Sequence, residues 1–135
     1  MSAQKYDFSI EQGSSFRFSI LYKDSDGNVV DLTNYCARLT WTANNGVVYT
    51  FSTFNTDYSK YKFSIDGPNG QILLLLPATM TNNFDFNIAK YDLEIQSPND
   101  LYTGGGKQIL RLLYGIITFT KRYSLTPTPL DCTNG

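Results

Sequence analysis

Asp92 and Glu94 stand at alternate positions in Tyr91-Asp-Leu-Glu-Ile95, and a pair of carboxylates is what glycoside hydrolysis requires. That chemistry needs the two groups to flank a bond inside a cleft. Here they alternate with Tyr91, Leu93 and Ile95, so in an extended chain they share the polar face, where acids are ordinarily solvated. Gly104-Gly-Gly-Lys107 invites comparison with a phosphate-binding loop. The first required glycine would fall at Leu101, Gln108 replaces the Ser or Thr, and a strand rather than a helix follows. A hairpin loop is the expected reading. Asp24-Ser-Asp-Gly-Asn28 resembles the opening of a calcium loop, yet Gly27 comes too early and no bidentate Glu closes it. It reads as a turn.

The chain has no histidine. Ser-His-Asp and Cys-His nucleophile systems are thereby excluded, along with the commonest transition-metal ligand. Cys36 and Cys132 are the two cysteines, too few for a zinc site or a disulfide framework. Both are expected as reduced thiols. No catalytic, cofactor-binding or metal-ligating set emerges, and we expect a protein that is not an enzyme and carries no cofactor.

The chemistry-poor pattern must be positioned by something, and composition says what. In 135 residues, 41% are hydrophobic, 15% aromatic and only 17% charged, with ten Tyr and nine Phe supplying the aromatic excess. Such a chain has ample apolar surface to fold, and at this length roughly two-thirds of the unfolded surface can be buried. Net charge is −1 with no basic block, so the electrostatic footprint of a nucleic-acid binder is missing. Met1 to Tyr6 shows no secretory signal, and the apolar run Ile72 to Leu76 is too short to span a bilayer. These features predict a soluble protein made in a cytoplasm, without a membrane partner.

Period-two alternation recurs from end to end. Tyr6 to Glu11 places Tyr6, Phe8 and Ile10 on one face. Phe16, Phe18, Ile20 and Tyr22 do the same in a second strand. Tyr35 to Thr42 points Tyr35, Ala37, Leu39 and Trp41 inward, and Asn44-Asn45-Gly46 turns the chain into Val47 to Phe51. Phe54 to Tyr61 is expected as a loop and Lys62 to Ile65 as a short strand. Gln71 to Leu76 reads as a strand buried on both faces. Ala78 to Asn87 supports no more than a turn of helix, with Thr79 and Thr81 available for capping. Ala89 to Gln96 alternates, Ser97 to Gly106 is expected as a flexible loop, and Lys107 to Tyr123 as a long strand with a bulge or bend at Gly115. The fold class expected is all-β: an immunoglobulin-like antiparallel β-sandwich of seven to nine strands, with a small barrel as the alternative. Residues 1–123 form the domain, and 124–135 a short extended C-terminal tail.

Phe51, Phe54, Tyr58, Tyr61 and Phe63 form an irregular aromatic cluster beside the loop. They read as a partner-binding patch or, less strongly, as a sugar platform. The candidate partner interface comprises Phe54, Tyr58, Tyr61 and Tyr102 with Leu125 and Leu130 of the tail.

An ordered set of segments carries a family likeness: Gln12-Gly-Ser-Ser-Phe16, Tyr22-Lys-Asp-Ser-Asp-Gly-Asn28, Val30 through Arg38, Gly70-Gln-Ile-Leu-Leu-Leu-Leu-Pro77, Tyr91 through Ile95, and Arg111-Leu-Leu-Tyr-Gly115. Their arrangement resembles small immunoglobulin-like virion proteins of tailed bacteriophages, including cyanophage-type tails. It is also similar to the N-terminal domain of some baseplate upper proteins. The likeness extends to Tyr123. Tyr114 stands where such proteins often carry an acid, and Ser52 to Lys60 and the stretch after Ser124 depart from the pattern. The resemblance implies a virion structural subunit of tail, neck or baseplate, present in several symmetric copies and contacting other virion proteins, with no catalytic residues. A carbohydrate- or receptor-binding module on the virion exterior and a capsid decoration protein are the alternatives.

Overall fold

The computed structural model describes residues 3–53, 61–102 and 106–121. Among them run β1 (Gln4–Lys5), β2 (Phe8–Glu11), β3 (Phe16–Leu21), β4 (Cys36–Ala43), β5 (Val48–Ser52), β6 (Lys62–Asp66), β7 (Gln71–Leu76), the helical turn α1 (Ala78–Thr81), β8 (Ile88–Tyr102) and β9 (Gly106–Thr120). They build two sheets. The larger is ordered β1-β9-β8-β4-β5, with β2 also pairing β9, and the smaller β3-β7-β6. The architecture is a β-sandwich, and the barrel alternative falls because the two sheets keep separate edges.

The alternation in the sequence becomes the interior. In β4, Ala37, Leu39, Trp41 and Ala43 are buried and pair with Ile95, Leu93, Tyr91 and Ala89 of β8, which are buried too. From the smaller sheet Phe18, Phe63, Ile72, Leu74 and Leu76 complete the same core. Trp41 is fully buried, with Tyr49, Phe51, Phe84 and Phe86 at ring-centroid distances of 4.9 to 6.0 Å. Among the described residues its indole N–H has no hydrogen-bond partner, a cost that the aromatic packing outweighs. The Asn44-Asn45-Gly46 turn forms as expected: Gly46 takes φ +88° and donates its N–H to Ala43 O at 2.9 Å.

Several expectations need correction. The sheets are not wholly antiparallel, since β1 and β2 run parallel to β9 in one register, Lys5 opposite Tyr114 and Phe8 opposite Ile117. β7 is fully buried on one face only: Ile72, Leu74 and Leu76 point inward, while Leu73 and Leu75 lie half-buried on the outer face of the smaller sheet. Ser97 to Tyr102 is strand rather than loop, because β8 and β9 continue their hairpin through two register shifts, with Tyr102 opposite Gly106. Neither Thr79 nor Thr81 caps α1. Thr81 is instead fully buried, its hydroxyl donating to Ser14 O at 2.8 Å and accepting the Gly13 N–H at 3.1 Å. It ties α1 to the β2–β3 connection.

The bulge lies at Leu112 rather than Gly115. Leu93 pairs Leu113 but Glu94 pairs Arg111, so Leu112 is the extra residue. Because side chains alternate with period two, one inserted residue exchanges the faces. Before it Leu110 points inward and Ile109 outward; beyond it Leu113, Ile117 and Phe119 are buried and Tyr114 and Ile116 exposed. Gly115 has a different task. A Cβ there would lie 2.2 Å from Tyr6 O and 2.8 Å from Asp7 Oδ1, so a hydrogen lets the N-terminal strand close on β9.

Candidate partner-binding surfaces

Of the residues expected at a partner interface, Phe54, Tyr58, Leu125 and Leu130 lie outside the described residues, as does the side chain of Tyr102 at the end of β8. Tyr61 is half-buried against the core. Its ring meets Phe51 edge-on at 5.0 Å, and its hydroxyl accepts the Ser52 N–H at 3.3 Å. Phe51 and Phe63 are buried core residues. The cluster that read as one surface patch is therefore divided, with part of it belonging to the interior.

The carboxylates that first drew attention stand on the outer face of the larger sheet. Asp92 Oδ1 is 3.1 Å from Arg111 Nη1, and Glu94 Oε1 is 3.0 Å from Arg38 Nη2. Arg111 also lies over the Tyr114 ring, 5.5 Å from its centroid. These pairs are exposed and hold the face in order more than they stabilise the fold. Asp24 spends its Oδ1 on the N–H groups of Asp26 and Asn28, at 2.9 and 3.0 Å, which makes that segment a hydrogen-bonded turn. Asp31 likewise accepts from the Thr33 hydroxyl and N–H, which hold its carboxyl below the ordinary range. Among the described residues, no three His, Cys, Asp or Glu side chains gather as a metal site. Nor is any described helix long and apolar enough to cross a membrane.

What the sheet does present is apolar surface. Register places Val48, Thr42, Lys90 and Ile116 in one row across the outer face, with Ile88 opposite Thr118 alongside. Val48 is 57% exposed and Ile88 49%, while Ile109 and Tyr114 are exposed farther along β9. Sequence reasoning missed these residues, because each is an ordinary strand former and only the topology shows which face remains open. Two of the clefts among the described residues lie beside these strands. One, of about 400 Å³, lies between the β3 end and β9, lined by Leu21, Lys23, Leu110 and Arg111. The other, of about 460 Å³, is lined by Asn34, Cys36, Phe63, Gln96 and Lys107.

The N-terminal strand is fastened where it crosses Gly115. Tyr6 donates its N–H to Tyr114 O at 2.8 Å, and Ile116 donates to Asp7 Oδ1 at 2.9 Å. Tyr91, opposite Gly115 on β8, donates its hydroxyl to Tyr6 O at 2.5 Å. Burial, with Asp7 nearby, holds the Tyr91 phenol well above its usual pKa. This fastening seats β1 and β2 along β9 as one edge of the larger sheet. At the opposite side of the sheet, among the described residues, β5 pairs only with β4.

No protein-family model matches the chain, and no curated protein matches it either.

Proposed function

We propose that the chain is a non-enzymatic structural subunit of a tailed-phage virion, in a tail, neck or baseplate. It binds neighbouring virion proteins through sheet edges, loops and the C-terminal tail. The observation that carries the binding role is the open outer face of the larger sheet, with Val48, Ile88, Ile109, Tyr114 and Ile116 exposed on it. Exposed apolar side chains of this kind gain from burial against a partner, and the Asp92–Arg111 and Glu94–Arg38 pairs on the same face offer polar contacts beside them. The virion assignment draws on the resemblance of the ordered segments from Gln12 to Gly115. The immunoglobulin-like reading is supported by strand order. β3-β7-β6 stand where strands B, E and D stand in that plan, and β9-β8-β4-β5 where G, F, C and C′ stand. Mass spectrometry of extensively washed particles tests the proposal. The chain is expected in fixed stoichiometry with other virion proteins; its presence only in the soluble lysate would overturn the assignment.

A further inference from the structure

Among the described residues the sandwich has several strand edges, and all but one carry charge. On β1 and β2 stand Lys5 and Glu11, on β3 Arg17, and on β6 Lys62 and Asp66. Charged side chains on an edge oppose the addition of a further strand. β5, Val-Tyr-Thr-Phe-Ser, has no charge, no proline and no bulge against β4. Among the described residues nothing guards this edge.

Backbone geometry defines what that edge offers. Ala43 donates to Val47 O at 2.9 Å, and Thr53 donates to Ala37 O at 3.1 Å. Antiparallel alternation therefore turns residues 47, 49, 51 and 53 toward β4 and residues 48, 50 and 52 outward. The outward N–H of Ser52 is taken by the Tyr61 hydroxyl. Val48 and Thr50 thus form the open stretch, and among the described residues no strand pairs with them there.

We infer that β5 pairs antiparallel with β5 of a second copy of this chain about a two-fold axis at Tyr49, joining the two larger sheets into one. In this register Val48 of each copy faces Thr50 of the other, and each such pair exchanges both N–H···O bonds. The strand is its own complement: the same short stretch supplies donors and acceptors to both partners. Val48 meets the partner's Thr50 on the outer face as a β-branched cross-strand pair, and exposed Val47 and Val48 gain cover. A net charge of −1 offers little repulsion between copies. The inference takes its purpose from the structural-subunit reading, in which copies sit side by side, but its chemistry comes from the edge alone.

The test uses the purified full-length protein. Sedimentation velocity over a concentration series is expected to show a monomer–dimer equilibrium. Hydrogen exchange at Val48 and Thr50 should slow as concentration rises. Thr50→Pro removes an outward donor without touching the β4 ladder, and an edge strand tolerates proline where its N–H faces away from the sheet. It should weaken dimerisation about tenfold or more, since two-fold symmetry counts the lost bond twice. Val48→Lys should act similarly and decides the matter if the proline variant does not fold, as judged by Trp41 fluorescence. A monomer at all concentrations, or a dimer indifferent to both variants, would overturn the inference. So would concentration-independent protection lost on removing residues 124–135, which would assign the edge to the chain's own tail. Dimerisation by a protein absent from particles would leave this inference standing while refuting the virion reading.

Discussion

Gly115→Ala probes how the N-terminal strand seats on β9 of the larger sheet. The added methyl would sit 2.2 Å from Tyr6 O and 2.8 Å from Tyr6 C, both backbone atoms. Neither can rotate away, so the crossing of the N-terminal strand over β9 must lift. That lift strains the Tyr6–Tyr114, Ile116–Asp7 and Tyr91–Tyr6 hydrogen bonds, worth about 1 kcal/mol each. Loss of two or three, or the equivalent in overpacking, gives a destabilisation of about 2–3 kcal/mol. For a domain of this size that lowers Tm by roughly 6–15 °C. Urea and thermal unfolding followed by Trp41, the sole tryptophan and fully buried, supplies the assay. Gly46→Ala is the contrast: unlike Gly115 it has a positive φ, +88°, and nothing lies within 4 Å of an added Cβ, so about 1 kcal/mol is expected from backbone strain alone. A Gly115→Ala protein as stable as wild type, within about 0.5 kcal/mol, would refute the close approach of the N-terminal strand to β9.

Tyr91→Phe removes the hydroxyl that fastens Tyr6 and should cost about 1 kcal/mol at neutral pH. A phenol whose folded pKa is raised stabilises fully below its unfolded value, near 10, and that stability is lost as pH rises beyond it. Wild type should therefore lose stability more steeply above about pH 10 than Tyr91→Phe does, read from urea midpoints across the alkaline range. Leu93→Ala, at a fully buried site on β8, should cost about 2–5 kcal/mol by denaturant unfolding, whereas exposed Ile109→Ala should stay within about 0.5 kcal/mol. Deleting residues 125–135 should leave the circular dichroism and Trp41 emission unchanged while reducing incorporation into particles; wild-type incorporation would remove the tail from the interface.

The parts of the fold that the residues announce are those where one strand face is apolar and the other polar. Phe16-Arg-Phe-Ser-Ile20 and Ala37-Arg-Leu-Thr-Trp41 need only their own side chains to declare register, and both strands form with that alternation. The Leu112 bulge is hidden, because Ile109-Leu-Arg-Leu-Leu113 is apolar on both parities and no local pattern says where the faces exchange. Gly115 signals a backbone event, but its cause, Tyr6, lies a hundred-odd residues away in sequence and adjacent in space. Parallel pairing of the N-terminal strand is invisible for the same reason. At the candidate surfaces, aromatic type alone did not separate Phe51 and Phe63, which entered the core, from residues available to a partner. That β5 lies at the side of the larger sheet is a property of strand order, which periodicity does not contain.

A density map of intact particles tests the central claim most directly, that this sandwich works by holding neighbouring proteins together. The account predicts several symmetric copies, built into tail, neck or baseplate, with the outer face or an edge of the larger sheet buried against neighbouring subunits. Particles fully accounted for without this chain, or copies whose larger sheet faces solvent on its outer side and along β5, would contradict it.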